Sequence, residues 1–205
     1  MGLLSEWGGP IVEWTAAGLG LSGVVLGLRQ RPTTWVCWFG SSVLYLGLMW
    51  QAALYGQATL MGVFAATSIW GYVRWRFASP AQSEASGIQA LPSRWAFLLG
   101  VGALVLIGLW GLVMQDAGAQ SPWLDGAVTV LSLLAMGLMA RRYLICWSIW
   151  GLVNSLSVIL FARQALWATT ALYAVQFVLS GVGYRTWLRA SSSSKVLIGG
   201  PVDGR

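Results

Sequence analysis

The sequence predicts an all-α integral membrane protein of seven transmembrane helices, arranged as two parallel three-helix repeats joined by one linker helix, a 3+1+3 pattern. Three observations carry that prediction. The 205 residues are 57% hydrophobic and only 9% charged, with mean hydropathy +0.70, whereas a soluble domain carries about a quarter charged residues. Apolar runs recur along the chain at the length of about 20 residues that a bilayer crossing takes. The chain also resembles itself at a fixed offset.

The seven spans are read at 11–28, 35–53, 57–75, 95–114, 124–140, 143–161 and 166–187. Each must satisfy its own backbone in lipid, so helices are expected, and no strand-length alternation competes. The first and second spans are separated by Arg29 and Arg31, the third and fourth by Arg74, Arg76 and Arg94, the fifth and sixth by Arg141 and Arg142. Arg185, Arg189, Lys195 and Arg205 follow or close the seventh. All of these cations fall on one side of a seven-span chain, and only Arg163 falls on the other. That is the positive-inside pattern, with the N-terminus outside and the C-terminus cytoplasmic. The net charge of +6 is thus a topology signal; contact with anionic lipid is the secondary reading, and a nucleic-acid partner is not expected. "MGLLSEWGGP" lacks the basic start of a cleavable signal peptide.

"ASPAQSEASGIQALPSR", 78–94, reads as a cytoplasmic linker, and "QDAGAQSP", 115–122, as a short external loop. The fourth span, "WAFLLGVGALVLIGLWGLVM", has no polar residue in its middle and reads as a lipid-facing connector. One membrane domain therefore covers 1–190: repeat one 11–76, linker helix 95–114, repeat two 123–188. Residues 191–205, beginning with the serine run, read as a disordered cytoplasmic tail.

The repeat emerges on sliding the chain by 112 residues. Arg29 meets Arg141, Trp35 meets Trp147, Trp38 meets Trp150 and Ser68 meets Ser180. Gly71, Tyr72 and Trp75 meet Gly183, Tyr184 and Trp187. Residues 13–76 against 125–188 give 16 identities in 64 without a gap, where composition alone gives roughly a third of that. Three helices reverse the chain and the fourth reverses it again, so the second repeat re-enters with the first repeat's orientation. Parallel repeats of this kind place a substrate site at their interface near the bilayer midplane.

Chemistry-bearing residues fall on helical stripes. Trp147, Trp150 and Asn154 share one face of the sixth span, and Ser157 extends it. Tyr173, Gln176, Ser180 and Tyr184 line one face of the seventh. The first repeat has matching stripes: Trp35, Trp38, Ser42 and Tyr45, then Met61, Phe64, Ser68 and Tyr72. Polar residues inside a membrane either hydrogen-bond helices together or face a ligand path. Tryptophans also mark the membrane interface, the reading for Trp14, Trp75, Trp95, Trp110, Trp123 and Trp187 near span ends. Cys37 and Cys146 make no metal motif and read as small buried residues.

The chain has no histidine, and none of its six acids lies deep in a span. No hydrolytic triad, carboxylate pair or metal cluster can be assembled, so neither an enzyme nor a cofactor is expected. Proton coupling lacks its usual mid-membrane acid or histidine, and a phosphorylated ligand would lack its cationic partner. The implied ligand is a non-phosphorylated, vitamin-like small molecule with a flat ring for tryptophan and hydrogen-bonding groups for amides and hydroxyls.

These residues resemble the PnuC family of nicotinamide riboside and vitamin transporters. The resemblance covers roughly 11–188 and rests on "EWTAAGLGLSGVVLGLR", "WVCWFGSSVLYLGLMWQAALYG", "IWGYVRW", "CWSIWGLVNSLSVILF", "ALYAVQ" and "GVGYRTW". The W-x-x-W-x-x-x-N pattern at Trp147, Trp150 and Asn154 is similar to the family's signature. The resemblance implies a fold distantly like the SWEET sugar transporters, a homotrimer in the bacterial inner membrane, and uptake of nicotinamide riboside by facilitated diffusion with trapping by a cytoplasmic kinase. It implies substrate contacts from Trp147, Trp150, Asn154, Tyr173, Gln176 and Ser180, joined by Trp38, Tyr45 and Ser68 of the first repeat. Thiamine and riboflavin also fit an aromatic wall, and a sugar carrier or a non-transporting membrane subunit are the further alternatives.

Overall fold

The computed structural model describes residues 3–51, 55–77, 87–116, 121–163 and 167–198. They form seven helices: α1 Leu3–Leu28, α2 Thr33–Gln51, α3 Tyr55–Arg76, α4 Ser93–Asp116, α5 Pro122–Ala140, α6 Cys146–Arg163 and α7 Trp167–Ile198. Among the described residues the only strand-like pairing is one isolated bridge between Gln89 and Tyr143. The chain divides into two compact units, Met1–Ala78 and Ser79–Arg205. In the first, α2 packs on both α1 and α3. In the second, α6 packs on both α5 and α7, and α4 packs on α5.

The surfaces of these helices are those of a membrane protein. On α4, Phe97 and Leu104 are 70% and 71% exposed, and only Ala103 and Gly111 are buried. Val43, Ile69, Val73, Leu152, Ile159 and Val178 are exposed on other helices. An apolar surface of this extent belongs in lipid. Among the described residues, three helices are individually long and apolar enough to cross: Ile11–Leu28, Ser93–Asp116 and Pro122–Ala140; Cys146–Leu160 is a shorter apolar helix. The helices α2, α3 and α7 are less apolar because tryptophan, tyrosine and polar side chains are interspersed along them.

The duplication read from sequence recurs bond for bond in the turns. Between α1 and α2, the amides of Arg29, Gln30 and Arg31 donate to the carbonyls of Leu26, Gly27 and Leu26. Between α5 and α6, Arg141, Arg142 and Tyr143 donate to Leu138, Met139 and Leu138. Gln30 and Arg142, the equivalent residues, both sit in the left-handed region, at φ 52 and φ 58. A non-glycine residue there is uncommon, so its recurrence marks one inherited turn. The second copy carries an addition. The amide of Gln89 donates to Arg142 and that of Leu144 donates to Gln89, each at 3.0 Å, pinning the approach to α4 against the α5–α6 turn.

The same inheritance governs packing. Trp35 is fully buried against Gly71 and stands edge-on to Trp75, centroids 5.3 Å apart. Trp147 is buried against Gly183 and stands edge-on to Trp187 at 5.6 Å. A methyl group at either glycine would overlap the indole. Expected at the membrane interface, Trp75 and Trp187 are instead 5% and 0% exposed. Each fills the helix–helix seam because a glycine four residues earlier lets a second tryptophan approach. Trp14, Trp95 and Trp123 are exposed, as interfacial tryptophans would be.

The C-terminal segment also departs from expectation. Read as disordered from 191, the chain instead continues α7 to Ile198. The hydroxyls of Ser191 and Ser192 donate to the Leu188 carbonyl, at 2.7 and 3.1 Å, so the serine run begins within helical geometry. Residues 199–205 lie outside the described residues.

Candidate functional site

The polar centre of the second unit is built on facing stripes of α6 and α7. Asn154 is 2% exposed, and its Nδ2 donates to Ser180 Oγ at 3.0 Å. Ser180 in turn donates to the Gln176 carbonyl at 2.8 Å. This chain of bonds uses the amide's donor and leaves its acceptor open: Asn154 Oδ1 is buried with no partner among the described residues. One helical turn on, Ser157 is completely buried and its Oγ is likewise unpartnered. An unpaired buried polar group costs about 1–3 kcal/mol. Trp147 Nε1 on the same stripe is unpartnered as well, as are Trp35 Nε1 and Thr34 Oγ1 in the first unit; Asn154 Oδ1 is the one amide acceptor among these atoms.

The remaining predicted residues are distributed as follows. Trp147 is held by Gly183 and Trp187, with little surface left over. Trp150 is half-buried on the same α6 stripe, and Tyr173 and Gln176 are half-buried on α7. Thus Asn154 and Ser180 are joined side chain to side chain, Gln176 enters only through its main-chain carbonyl, and Trp150 and Tyr173 lie on the stripes beside them.

In the first unit the matching positions are occupied differently. Trp38 lies across Gly23 and donates from Nε1 to the Gly20 carbonyl at 3.1 Å, so its ring packs α2 on α1. Ser41 donates to Ala16 O at 2.8 Å across the same seam. Ser68 is fully buried and donates to Phe64 O at 2.8 Å, as Ser180 does to Gln176 O. Tyr45 is half-buried. Ser42, which stands where the second repeat has Asn154, is 6% exposed and too short to make the amide's bond.

A groove of about 430 Å³ opens beside the bonded group, between α6 and α7. Trp147 and Ser180 belong to it, with Ser148, Gly151, Ser155 and Gly181. These last four were not singled out from sequence. Their signal was the spacing Ser148, Gly151, Ser155, small residues at helical intervals next to the polar stripe. Ser155 is satisfied by Gly151 O at 2.9 Å, while Ser148, Tyr184 and Arg185 bring further polar and charged groups to the lining.

Among the described residues no three His, Cys, Asp or Glu side chains gather where a metal could bind. The bonded group has no cationic side chain; what it offers is one buried carbonyl acceptor, one buried hydroxyl and tryptophan along the same face. It can recognise a neutral hydrogen-bonding edge attached to a flat ring. It has no group suited to bond-breaking chemistry.

Known proteins resemble this chain over nearly its whole length. A family model described as Nicotinamide mononucleotide transporter matches residues 10–189. The nicotinamide riboside transporter PnuC of Escherichia coli (strain K12) is 26% identical over 212 residues, covering 90% of this chain and 89% of that protein. The riboflavin/roseoflavin transporter RibM of Streptomyces davaonensis is 26% identical over 189 residues, covering 89% and 88%. The crystal structure of the vitamin B3 transporter PnuC superposes with a TM-score of 0.72 at 22% identity, over 94% of this chain and 86% of that one.

Proposed function

This chain belongs to the nicotinamide mononucleotide transporter family, a multi-pass membrane transporter and not an enzyme, and from that premise we propose that it carries nicotinamide riboside passively into the cell. The observation that carries the substrate choice is the open acceptor at Asn154 Oδ1, buried on the α6 stripe that also carries Trp147 and Trp150. Nicotinamide riboside has N–H and O–H donors for that acceptor and a cationic pyridinium ring for tryptophan. A desolvated cation over an indole face gains about 2 kcal/mol. A phosphorylated form would bring a dianion to the Asn154–Ser180 group, whose own side chains are uncharged. The names of the relatives, nicotinamide riboside transporters in Escherichia coli and Haemophilus influenzae, support the same choice.

In this reading Trp150 walls the ring with Trp147 as the rigid post behind it, and Asn154 binds the hydrogen-bonding edge. Ser180 holds the Asn154 amide in register, and the Gln176 side chain and Tyr173 close the α7 side. The 3+1+3 order of helices, with α4 as the connector, belongs to this reading, and Trp38, Tyr45 and Ser68 of the first repeat are its further candidate contacts. The chain sits in the bacterial inner membrane with its N-terminus outside, assembled as a homotrimer. Transport is facilitated diffusion, since no acid or histidine lies in mid-membrane to couple a proton. Phosphorylation by a cytoplasmic kinase would trap the substrate by giving it the charge the site rejects.

Riboflavin is the second reading, favoured by the RibM likeness at the same 26% identity. Uptake of labelled nicotinamide riboside, thiamine and riboflavin into liposomes holding the pure protein separates these. Saturable entry of nicotinamide riboside is expected. Saturable entry of riboflavin or thiamine alone would overturn the substrate, and no flux of any solute would overturn carriage itself.

A further inference from the structure

The duplicated positions around Asn154 have exchanged size. Where the first repeat has Ser42 and Tyr45, the second has Asn154 and Ser157. The short side chain became the long amide, and the large phenol became the short hydroxyl. In an otherwise repeated scaffold, this trade withdraws an aromatic ring from beside the amide and leaves a hydroxyl in its place.

That hydroxyl behaves unlike its neighbours. Thr15, Thr67, Ser68, Ser132, Ser155 and Ser180 each donate to the carbonyl four residues back, at 2.6–2.9 Å. This is the ordinary solution for a hydroxyl in a membrane helix. Ser157 lies inside α6, is 0% exposed, and finds no partner among the described residues. Its neighbour on the stripe, Asn154 Oδ1, is a pure acceptor that is also unpartnered. Residues three apart on a helix stand about 5–6 Å apart at Cβ, so one small ligand group can meet both.

We propose that Ser157 is a specificity residue which, with Asn154, reads a primary carboxamide: the ligand's N–H donates to Asn154 Oδ1 and its C=O accepts from the Ser157 hydroxyl. The inference rests on the nicotinamide riboside reading above and deepens it. A carboxamide carries one donor and one acceptor on a single carbon, in plane with the ring it is conjugated to. The ring then lies back along the stripe toward Trp150, and the ribose is left to other contacts. A ribose diol is a poorer fit, because its two hydroxyls rotate independently and hold no fixed donor–acceptor edge.

The test compares two competitors of labelled nicotinamide riboside uptake in liposomes: unlabelled nicotinamide riboside, and N-ribosylpyridinium, which lacks only the carboxamide. Ser157→Ala should raise the inhibition constant of nicotinamide riboside about fivefold or more, the loss expected when a buried carbonyl is left unpaired. It should leave that of N-ribosylpyridinium unchanged and the maximal rate within about twofold, and Ser157→Thr should restore the wild-type constant. Equal weakening of both competitors would place Ser157 against the ribose and overturn the assignment. An unchanged constant for nicotinamide riboside would make the hydroxyl a bystander and equally overturn it. Failure of the wild type to take up nicotinamide riboside would overturn the underlying functional reading instead, and the proposal with it.

Discussion

Replacing Asn154 by Leu separates recognition from helix glue, because the two roles predict opposite effects on stability and binding. The substitution removes the Asn154 Nδ2 to Ser180 Oγ bond of 3.0 Å. A bond of this kind is worth about 0.5–1.5 kcal/mol net, and averages about 0.6 kcal/mol inside membrane proteins. Ser180 stays satisfied through its own donation to Gln176 O. The substitution also removes the buried, unpartnered Oδ1, whose desolvation costs about 1–3 kcal/mol. The sum is near zero or a gain of up to about 2 kcal/mol, which for a chain of this size leaves the Tm unchanged or raises it by a few degrees, about 2–4 °C per kcal/mol. Binding moves the other way. A substrate donor left buried without its acceptor loses about 1–3 kcal/mol, roughly 5- to 150-fold in affinity. The assay is paired: thermal unfolding of the purified variant followed by tryptophan fluorescence, and calorimetric titration with nicotinamide riboside. A Tm lowered by more than about 4 °C with affinity within about twofold of wild type would refute the reasoning and return Asn154 to helix packing.

Two further outcomes follow from the same framework. Gly183→Ala and Gly71→Ala each drive a methyl group into a buried indole, Trp147 or Trp35, and should each cost about 1–3 kcal/mol; Gly181→Ala, with open space at its Cβ, should be neutral or slightly stabilising. Equal melting temperatures for Gly181→Ala and Gly183→Ala would contradict the tryptophan–glycine seam. In a chain with Cys37 and Cys146 replaced by Ala, a membrane-impermeant maleimide should label Ser121→Cys in intact cells and Arg141→Cys only after permeabilisation; the reverse pattern would contradict the orientation drawn from the arginines.

Most of the fold was legible because membrane insertion leaves few options. Twenty-residue apolar stretches punctuated by arginine define the helices, and the offset of 112 residues announced equivalent residues in the two halves, which recur in the turns. What escaped was burial at helix ends. Periodicity marks Trp75 and Trp187 as terminal aromatics, and only the three-dimensional proximity of Gly71 and Gly183 to Trp35 and Trp147 turns them into core residues. The extension of α7 past Leu188 escaped for a different reason: a serine run reads as disorder until its hydroxyls are seen to bond within the helix. For the site, the stripe of Trp147, Trp150 and Asn154 was visible in sequence, as was the divergence of Ser42 from Asn154. That Asn154 spends its donor on Ser180 and keeps its acceptor open was not, since hydrogen-bond direction depends on which helix faces it. The small-residue groove at Ser148, Gly151 and Ser155 was overlooked because glycine and serine are common in membrane helices for packing alone.

Passive carriage of nicotinamide riboside is open to a tracer equilibration experiment. Liposomes containing only this protein are given labelled nicotinamide riboside with no ion gradient, and then with an imposed proton or sodium gradient. Saturable entry that stops when internal and external concentrations are equal, unchanged by either gradient, is the predicted result. Accumulation beyond equality that follows an ion gradient, or entry no faster than into empty liposomes, would contradict it.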